Sequence, residues 1–176
     1  MAAANESLAA FEPQFEAARA AGLRRKLGLF VEREGDDVLT EDLLARMAAN
    51  HADFTLTFRR LCEAAADPQG DAAVQALFAD PGAYDAWALA WRRRLEEEPV
   101  SGRVPTAAMR MANPAFIPRN HLVEAALNAA VSRQDFQPFE QLLEVLSRPY
   151  EDRPGLERYA TPARPEESVR QTFCGT

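Results

Sequence analysis

The side chains able to carry chemistry in this sequence are few and scattered. Two cysteines, Cys62 and Cys174, and two histidines, His51 and His121, stand far apart along the chain. None of them has CxxC or zinc-ligand spacing, and His51 two residues before Asp53 is a capping neighbourhood at most, so no metal site is expected. The adjacent carboxylates Asp36-Asp37 and Glu96-Glu97-Glu98 could in principle face a hard cation, but such runs on a turn or helix ordinarily face water and are read as solvated. A P-loop, a GxGxxG, an HExxH and a GxSxG are all missing, and the glycines are scattered as turn residues instead of being grouped to cradle a phosphate. No catalytic, cofactor-binding or metal-binding residue is therefore assigned. Cys174 differs in kind. It lies in the closing run Gln171-Thr172-Phe173-Cys174-Gly175-Thr176, on a segment approached through prolines, where a thiol can be reached and can exchange. Cys62 sits on the apolar side of a helical pattern and reads as a small core residue.

Composition narrows the classes further. A chain of 176 residues with 47% hydrophobic and 27% charged residues can bury a core of its own without disulfides or metal. The formal net charge of -7 and the pI near 5.0 argue against a nucleic-acid partner. The basic clusters Arg24-Arg25-Lys26 and Arg92-Arg93-Arg94 are short, and Glu96-Glu97-Glu98 cancels most of the second one's field, so both are read as solvated helix faces. No basic n-region or apolar h-region opens the sequence, and no stretch approaches the roughly 20 apolar residues that cross a bilayer. The expectation is a cytoplasmic protein with free thiols and no membrane partner.

The elements that must position these residues are helical. Apolar spacing follows the 3.6-residue period almost throughout, and the alternation of half-buried strands is missing. Tyr84, Trp87, Ala88, Trp91 and Leu95 share one face of the clearest helix, entered through the Asp80-Pro81-Gly82 turn. A helix capped by Asn120 and stopping near Ser132 carries Leu122, Val123, Ala126, Leu127, Ala130 and Val131 on one stripe. A further helix from about Gln137, with Phe139, Leu142, Leu143 and Leu146, completes an antiparallel hairpin before Pro149. Upstream, Thr40 is expected to cap a helix bearing Leu43, Leu44 and Met47, and Asp53 one bearing Phe54, Phe58 and Leu61. Asp67-Pro68-Gln69-Gly70 breaks the latter before a short helix with Val74, Leu77 and Phe78, while the pattern around Phe11, Phe15 and Ala18 is weaker. No motif repeats along the chain, which excludes a solenoid. The fold expected is all-α: an irregular helical bundle over residues 1–150 with an extended Pro-rich C-terminal tail over 151–176.

Several runs, taken in order, resemble the C-terminal region of the selenoprotein O (SelO) family of protein adenylyltransferases. They are Lys26-Leu27-Gly28-Leu29, then Asp53-Phe54-Thr55 with Phe58-Arg59-Arg60-Leu61, then Trp87 to Leu95. The most specific is Met111-Ala112-Asn113-Pro114-Ala115-Phe116-Ile117-Pro118-Arg119-Asn120, followed by Leu142-Leu143, Pro149-Tyr150 and the closing Thr172-Phe173-Cys174-Gly175-Thr176.

The resemblance implies a parent protein whose kinase-like domain binds ATP and magnesium and transfers AMP to protein hydroxyl groups, in a family implicated in redox homeostasis. The nucleotide-binding and catalytic residues of that domain have no match here, so none is carried over. What the resemblance does carry is a C-terminal redox residue, selenocysteine in some members and cysteine in others, which corresponds to Cys174; its disulfide partner in bacterial relatives belongs to the kinase-like domain. The expected role is that of a C-terminal regulatory or scaffolding segment partnered, in cis or in trans, by a kinase-like catalytic domain. The alternative is an independent, non-catalytic helical protein-interaction module.

Overall fold

The computed structural model of the chain describes residues 2–99 and 106–167, with side chains from residue 10 onward. Among these residues the secondary structure is helical, with no strand. Packing divides the chain into two units, residues 1–113 and 114–176. The boundary expected at residue 150 follows proline content; this division follows where the side chains pack.

The first unit contains α1 (Ala2–Lys26), α2 (Asp36–Ala49), α3 (Phe54–Ala66), α4 (Asp71–Gln75), α5 (Pro81–Glu96) and α6 (Thr106–Ala112). Its centre is α5. Tyr84, Trp87, Ala88, Trp91 and Leu95 are all buried, as their spacing requires. The two indoles stack with centroids 5.2 Å apart, and each N–H is satisfied by backbone: Trp87 Nε1 donates to the Leu39 carbonyl and Trp91 Nε1 to the Leu27 carbonyl, both at 2.9 Å. Large rings can be buried here because their polar edges find acceptors on neighbouring segments. The helix begins as its sequence dictates, with Asp80 accepting from the Gly82 amide at 2.9 Å and Pro81 in the first turn.

The end of α1 explains the Lys26-Leu27-Gly28-Leu29 run. Gly28 adopts a φ of 79°, its amide donates to the Arg25 carbonyl at 3.2 Å, and the Leu29 amide donates to the Arg24 carbonyl at 2.9 Å. This is a Schellman closure, and the left-handed residue it needs is glycine because a Cβ is disfavoured there. Leu27 and Leu29 on either side are then driven into the core. Asp53 caps α3 as expected, accepting from the Leu56 amide at 2.8 Å. After α3, the 3-10 turn Pro68–Gly70 passes so close that a Cβ on Gly70 would lie 2.7 Å from the Ala64 nitrogen.

Two expectations about charge and capping are corrected. Helix α2 starts at Asp36, four residues before Thr40, and the Thr40 hydroxyl donates back to the Asp36 carbonyl at 2.7 Å from inside the helix. The reason is an ion network that the sequence reading assigned to solvent. Asp36 is buried, and Arg94 meets it through Nε at 2.6 Å and Nη2 at 3.2 Å. Arg94 also donates to Glu98 Oε1 at 2.8 Å and to the Val31 carbonyl at 2.6 Å. Glu98 Oε2 accepts from the amides of Phe30 and Val31, and Asp36 Oδ2 from that of Arg33. Burial opposes the Arg94 charge, but the hydrogen bonds it donates to Asp36 and Glu98, with their negative charges, outweigh it and raise its pKa.

The second unit holds α7 (Asn120–Arg133), α8 (Gln137–Leu146) and the short α9 (Glu157–Ala160). Helices α7 and α8 pack on each other across a three-residue connection, which reverses the chain and makes them antiparallel. Gln134, at a φ of 52°, closes α7 two residues beyond the expected stop, and Arg119, not Asn120, occupies its capping position. Ala126, Ala129, Leu142 and Val145 are buried, whereas Leu127, Val131, Phe139 and Leu143 of the expected stripes are exposed. Within the stretch expected to be an extended tail, Glu157–Ala160 is helical and Tyr159 is buried beside Phe116, Leu142 and Val145. Cys174 lies outside the described residues.

Replacing Asp36 with alanine removes one of the two carboxylates that meet Arg94 inside the first unit. Urea denaturation of Asp36→Ala should show a loss of about 3 kcal/mol, whereas removal of the exposed partner Glu41 from Arg19 should move the midpoint little. A small effect for Asp36→Ala would show that the network contributes little to the fold.

Candidate functional site

The residues that could do chemistry do not converge on one place. His51 belongs to the first unit and His121 to the second. Among the described residues, no group of three His, Cys, Asp or Glu side chains could hold a metal ion. Each basic cluster has a member committed internally: Arg24 pairs with Glu32 at 2.7 Å, and Arg92 grips both oxygens of Asp71 at 2.6 and 2.7 Å, while Arg25 and Arg93 are exposed. Asp71 in turn accepts from the Tyr84 hydroxyl at 2.5 Å, and burial, followed by that bond, pushes the Tyr84 pKa up. The Asp71 carboxylate is thus shared between Arg92 and Tyr84.

What the fold does bring together is a polar cluster around Cys62 and Asn113. Helix α3 carries Cys62 on its buried face and Arg59 one turn earlier; α1 delivers Lys26 at its last turn; α6 ends just before Asn113. Asn113 is fully buried. Its Nδ2 donates to the Lys26 carbonyl at 2.9 Å and to the Cys62 sulfur at 3.4 Å. Lys26 Nζ donates to the Ala112 carbonyl at 2.9 Å and to Asn113 Oδ1 at 3.3 Å, with the rings of Phe58 and Phe54 5.6 and 5.8 Å away. Arg59 Nη1 donates to the carbonyls of Asn113 at 2.8 Å and Arg110 at 3.2 Å, and Arg110 is itself paired with Glu63.

The electrostatics decide what this cluster can do. Burial pushes the Cys62 thiol up, and the Asn113 hydrogen bond and the nearby Arg59 only partly offset it. The neutral thiol donates to the Phe58 carbonyl at 3.5 Å. Burial likewise pulls Lys26 down. A protonated, fully buried thiol is a poor nucleophile and a poor metal ligand, so the cluster is a structural knot and not a catalytic dyad. It ties the last turn of α6 to α1 and α3 through backbone carbonyls at the ends of α6 and α1.

The run from Met111 to Asn120 starts at this knot. Asn113, the residue before Pro114, is fully buried and its side-chain amide makes three hydrogen bonds within the cluster. In the second unit the run continues with the amides of Ala115 and Phe116 both donating to the Pro149 carbonyl, at 2.8 and 3.1 Å. Arg153 lies 5.5 Å from the Phe116 ring and donates to the Val145 carbonyl at 2.5 Å. Arg119 is buried, and its carbonyl accepts from the amides that open α7. Lys26, Arg59 and Asn113 were not singled out for chemistry. Their one signal was membership of the runs that carry the family resemblance.

Comparison with known proteins agrees with that signal. The sequence model of the family described as protein adenylyltransferase SelO matches residues 1–147. The chain is 56% identical over 173 residues to the protein nucleotidyltransferase YdiU of Nitrobacter winogradskyi, covering 98% of this chain and 34% of that protein. It is 54% identical over 173 residues to the protein of the same name from Bradyrhizobium diazoefficiens, 98% of this chain and 35% of the relative. With that of Methylorubrum extorquens the identity is 55% over 179 residues, 98% of this chain and 36% of the relative. The chain therefore spans about a third of the length of the curated relatives it matches.

In a Cys174→Ser background Cys62 is the sole thiol. Ellman's reagent should leave it unmodified in native buffer and modify it fully in urea. Adding Asn113→Ala should cost about 1–3 kcal/mol, because the Lys26 carbonyl and ammonium lose a buried partner, and should speed native labelling. Rapid labelling of Cys62 in the native Cys174→Ser chain would contradict its burial.

Proposed function

The chain belongs to the SelO family, and from that premise we propose that it is a C-terminal helical segment, regulatory or scaffolding in role, of a protein adenylyltransferase whose kinase-like catalytic domain lies outside it. One observation carries this reading: 98% of the chain aligns with only 34% of a protein nucleotidyltransferase. The geometry is in keeping with it. The most family-specific residues are spent on holding helices together, through the Asn113 knot and the Schellman end of α1, and the acidic groups that a metal would require are paired with arginines.

In this reading ATP and magnesium are bound by the catalytic domain, which transfers AMP to protein hydroxyl groups, and this segment supplies it with a folded support. Cys174 supplies the redox element. A disulfide between Cys174 and a thiol of the catalytic domain forms as two thiol protons and two electrons pass to a peroxide, which leaves as two waters. Cys62, buried and protonated, is not the partner. The setting is cytoplasmic, in line with an acidic chain among whose described residues no helix is long and apolar enough to cross a membrane. The segment works beside its catalytic domain in cis or in trans and has no nucleic-acid partner.

Calorimetric titration of the purified chain with ATP and magnesium tests the reading. No heat of binding is expected. Saturable binding with a defined stoichiometry would overturn it, since the chain would then hold a nucleotide site of its own.

A further inference from the structure

The second unit is built around a small core: Ala115, Phe116, Ala126, Ala129, Leu142, Val145 and Tyr159 are its buried apolar residues among those described, and three of the seven are alanines. Against these seven, α7, α8 and their connection leave Leu127 50%, Val131 83%, Phe136 57%, Phe139 50% and Leu143 60% exposed. Single exposed apolar residues are ordinary on any surface; a set this size, next to so small a core, is not.

The five side chains converge. On α7, Leu127 and Val131 are one turn apart and follow the buried Ala126 and half-buried Ala130 by one residue each. On α8, Phe139 and Leu143 are again one turn apart and Leu143 follows the buried Leu142 by one residue, while Phe136, in the connection just before α8, precedes Phe139 by three. In both helices the exposed pair is thus displaced in the same rotational sense from the buried stripe, by about 100° per residue. Because α7 and α8 run antiparallel, equal rotations turn both pairs toward the same side of the hairpin. The result is one apolar ridge along the pair. In the first unit Phe11 and Phe15 form one exposed pair on α1, and the other exposed apolar residues, such as Phe30, Val38, Leu89 and Met111, are spread over separate elements.

We propose that this α7–α8 ridge is the surface on which the segment docks against the catalytic region of its SelO-like protein, the part of the relatives that this chain does not match. The inference rests on the segment reading above and adds the face and the residues that make the contact. The occupant follows from two observations. About two thirds of each relative's length has no counterpart in this chain, and the whole ridge falls within the residues that the family model matches. A large folded region of the same protein is thus available to cover a surface that belongs to the family-matched part. The ridge offers no buried charge to answer, so its counterpart is an apolar strip on the catalytic region, with Leu143 and Val131 as anchors and polar groups at the rim.

The test is co-expression of the tagged 176-residue chain with the unmatched region of the Nitrobacter winogradskyi relative, followed by affinity purification and size exclusion. The wild-type chain should retain that region. Leu143→Glu and Val131→Glu should each reduce the retained amount at least about tenfold, as removal of a central anchor does. Leu89→Glu, an exposed substitution on α5 of the first unit, should not. Unchanged unfolding midpoints for all three variants would establish that they fold. Retention that survives Leu143→Glu and Val131→Glu would overturn the docking face and leave the segment reading standing. Failure of the wild-type chain to retain the region would overturn both. A dimer of the chain alone that Leu143→Glu dissociates would assign the ridge to a second copy instead.

Discussion

A guanidinium inside a helical bundle must have its charge met on every side, and Arg94 sets the arrangement of the first unit because everything that meets it is held in place. Its partners are Asp36 at the start of α2, Glu98 just past the end of α5 and the Val31 carbonyl between α1 and α2. Glu98 and Asp36 then collect the loop amides of Phe30, Val31 and Arg33. A connection that would otherwise be a free loop becomes part of the interior. The starting point of α2 is fixed by this charge and not by the better capping residue, Thr40, four positions later. Such a network contributes little net stability relative to an apolar replacement, but breaking it from one side is costly, so it specifies one geometry.

The Trp87–Trp91 stack depends on the same ordering. Each indole N–H needs an acceptor, and the two acceptors, the Leu39 and Leu27 carbonyls, lie on either side of the loop that Arg94 holds. The Asn113 knot works by a similar rule from the other end of the unit. Carbonyls of Arg110, Ala112 and Asn113, at the end of α6, accept from Arg59 and Lys26. The run from Met111 to Asn120 thus closes one packed unit and opens the next, which accounts for its specificity without invoking catalysis.

Much of the fold was legible because helices announce themselves locally. The α5 stripe, the Asp53 cap, the Asp67–Gly70 break and the proline-led starts of α5 and α8 follow from periodicity and capping chemistry, which act over a few residues. The candidate site was less legible. Cys62 was read as core correctly, from its place on an apolar face. Asn113 and Lys26 were not, because their partners lie 86 or 87 residues away in sequence and nothing local distinguishes a surface lysine from one that caps a distant helix end.

By itself, then, the sequence determined the all-helical class, the starts of α3, α5 and α8 and the family, since each is written in short runs of residue types. Tertiary structure alone decided the fate of charge and of apolar excess. Asp36, Arg94 and Glu98 looked like a solvated face until the loop folded over them, and Leu127, Val131 and Leu143 looked like core until the hairpin chose which side of each helix to bury. The reason is geometric: a helical stripe wide enough to supply a core is often wider than the core it meets, and only the packed neighbours determine where burial stops.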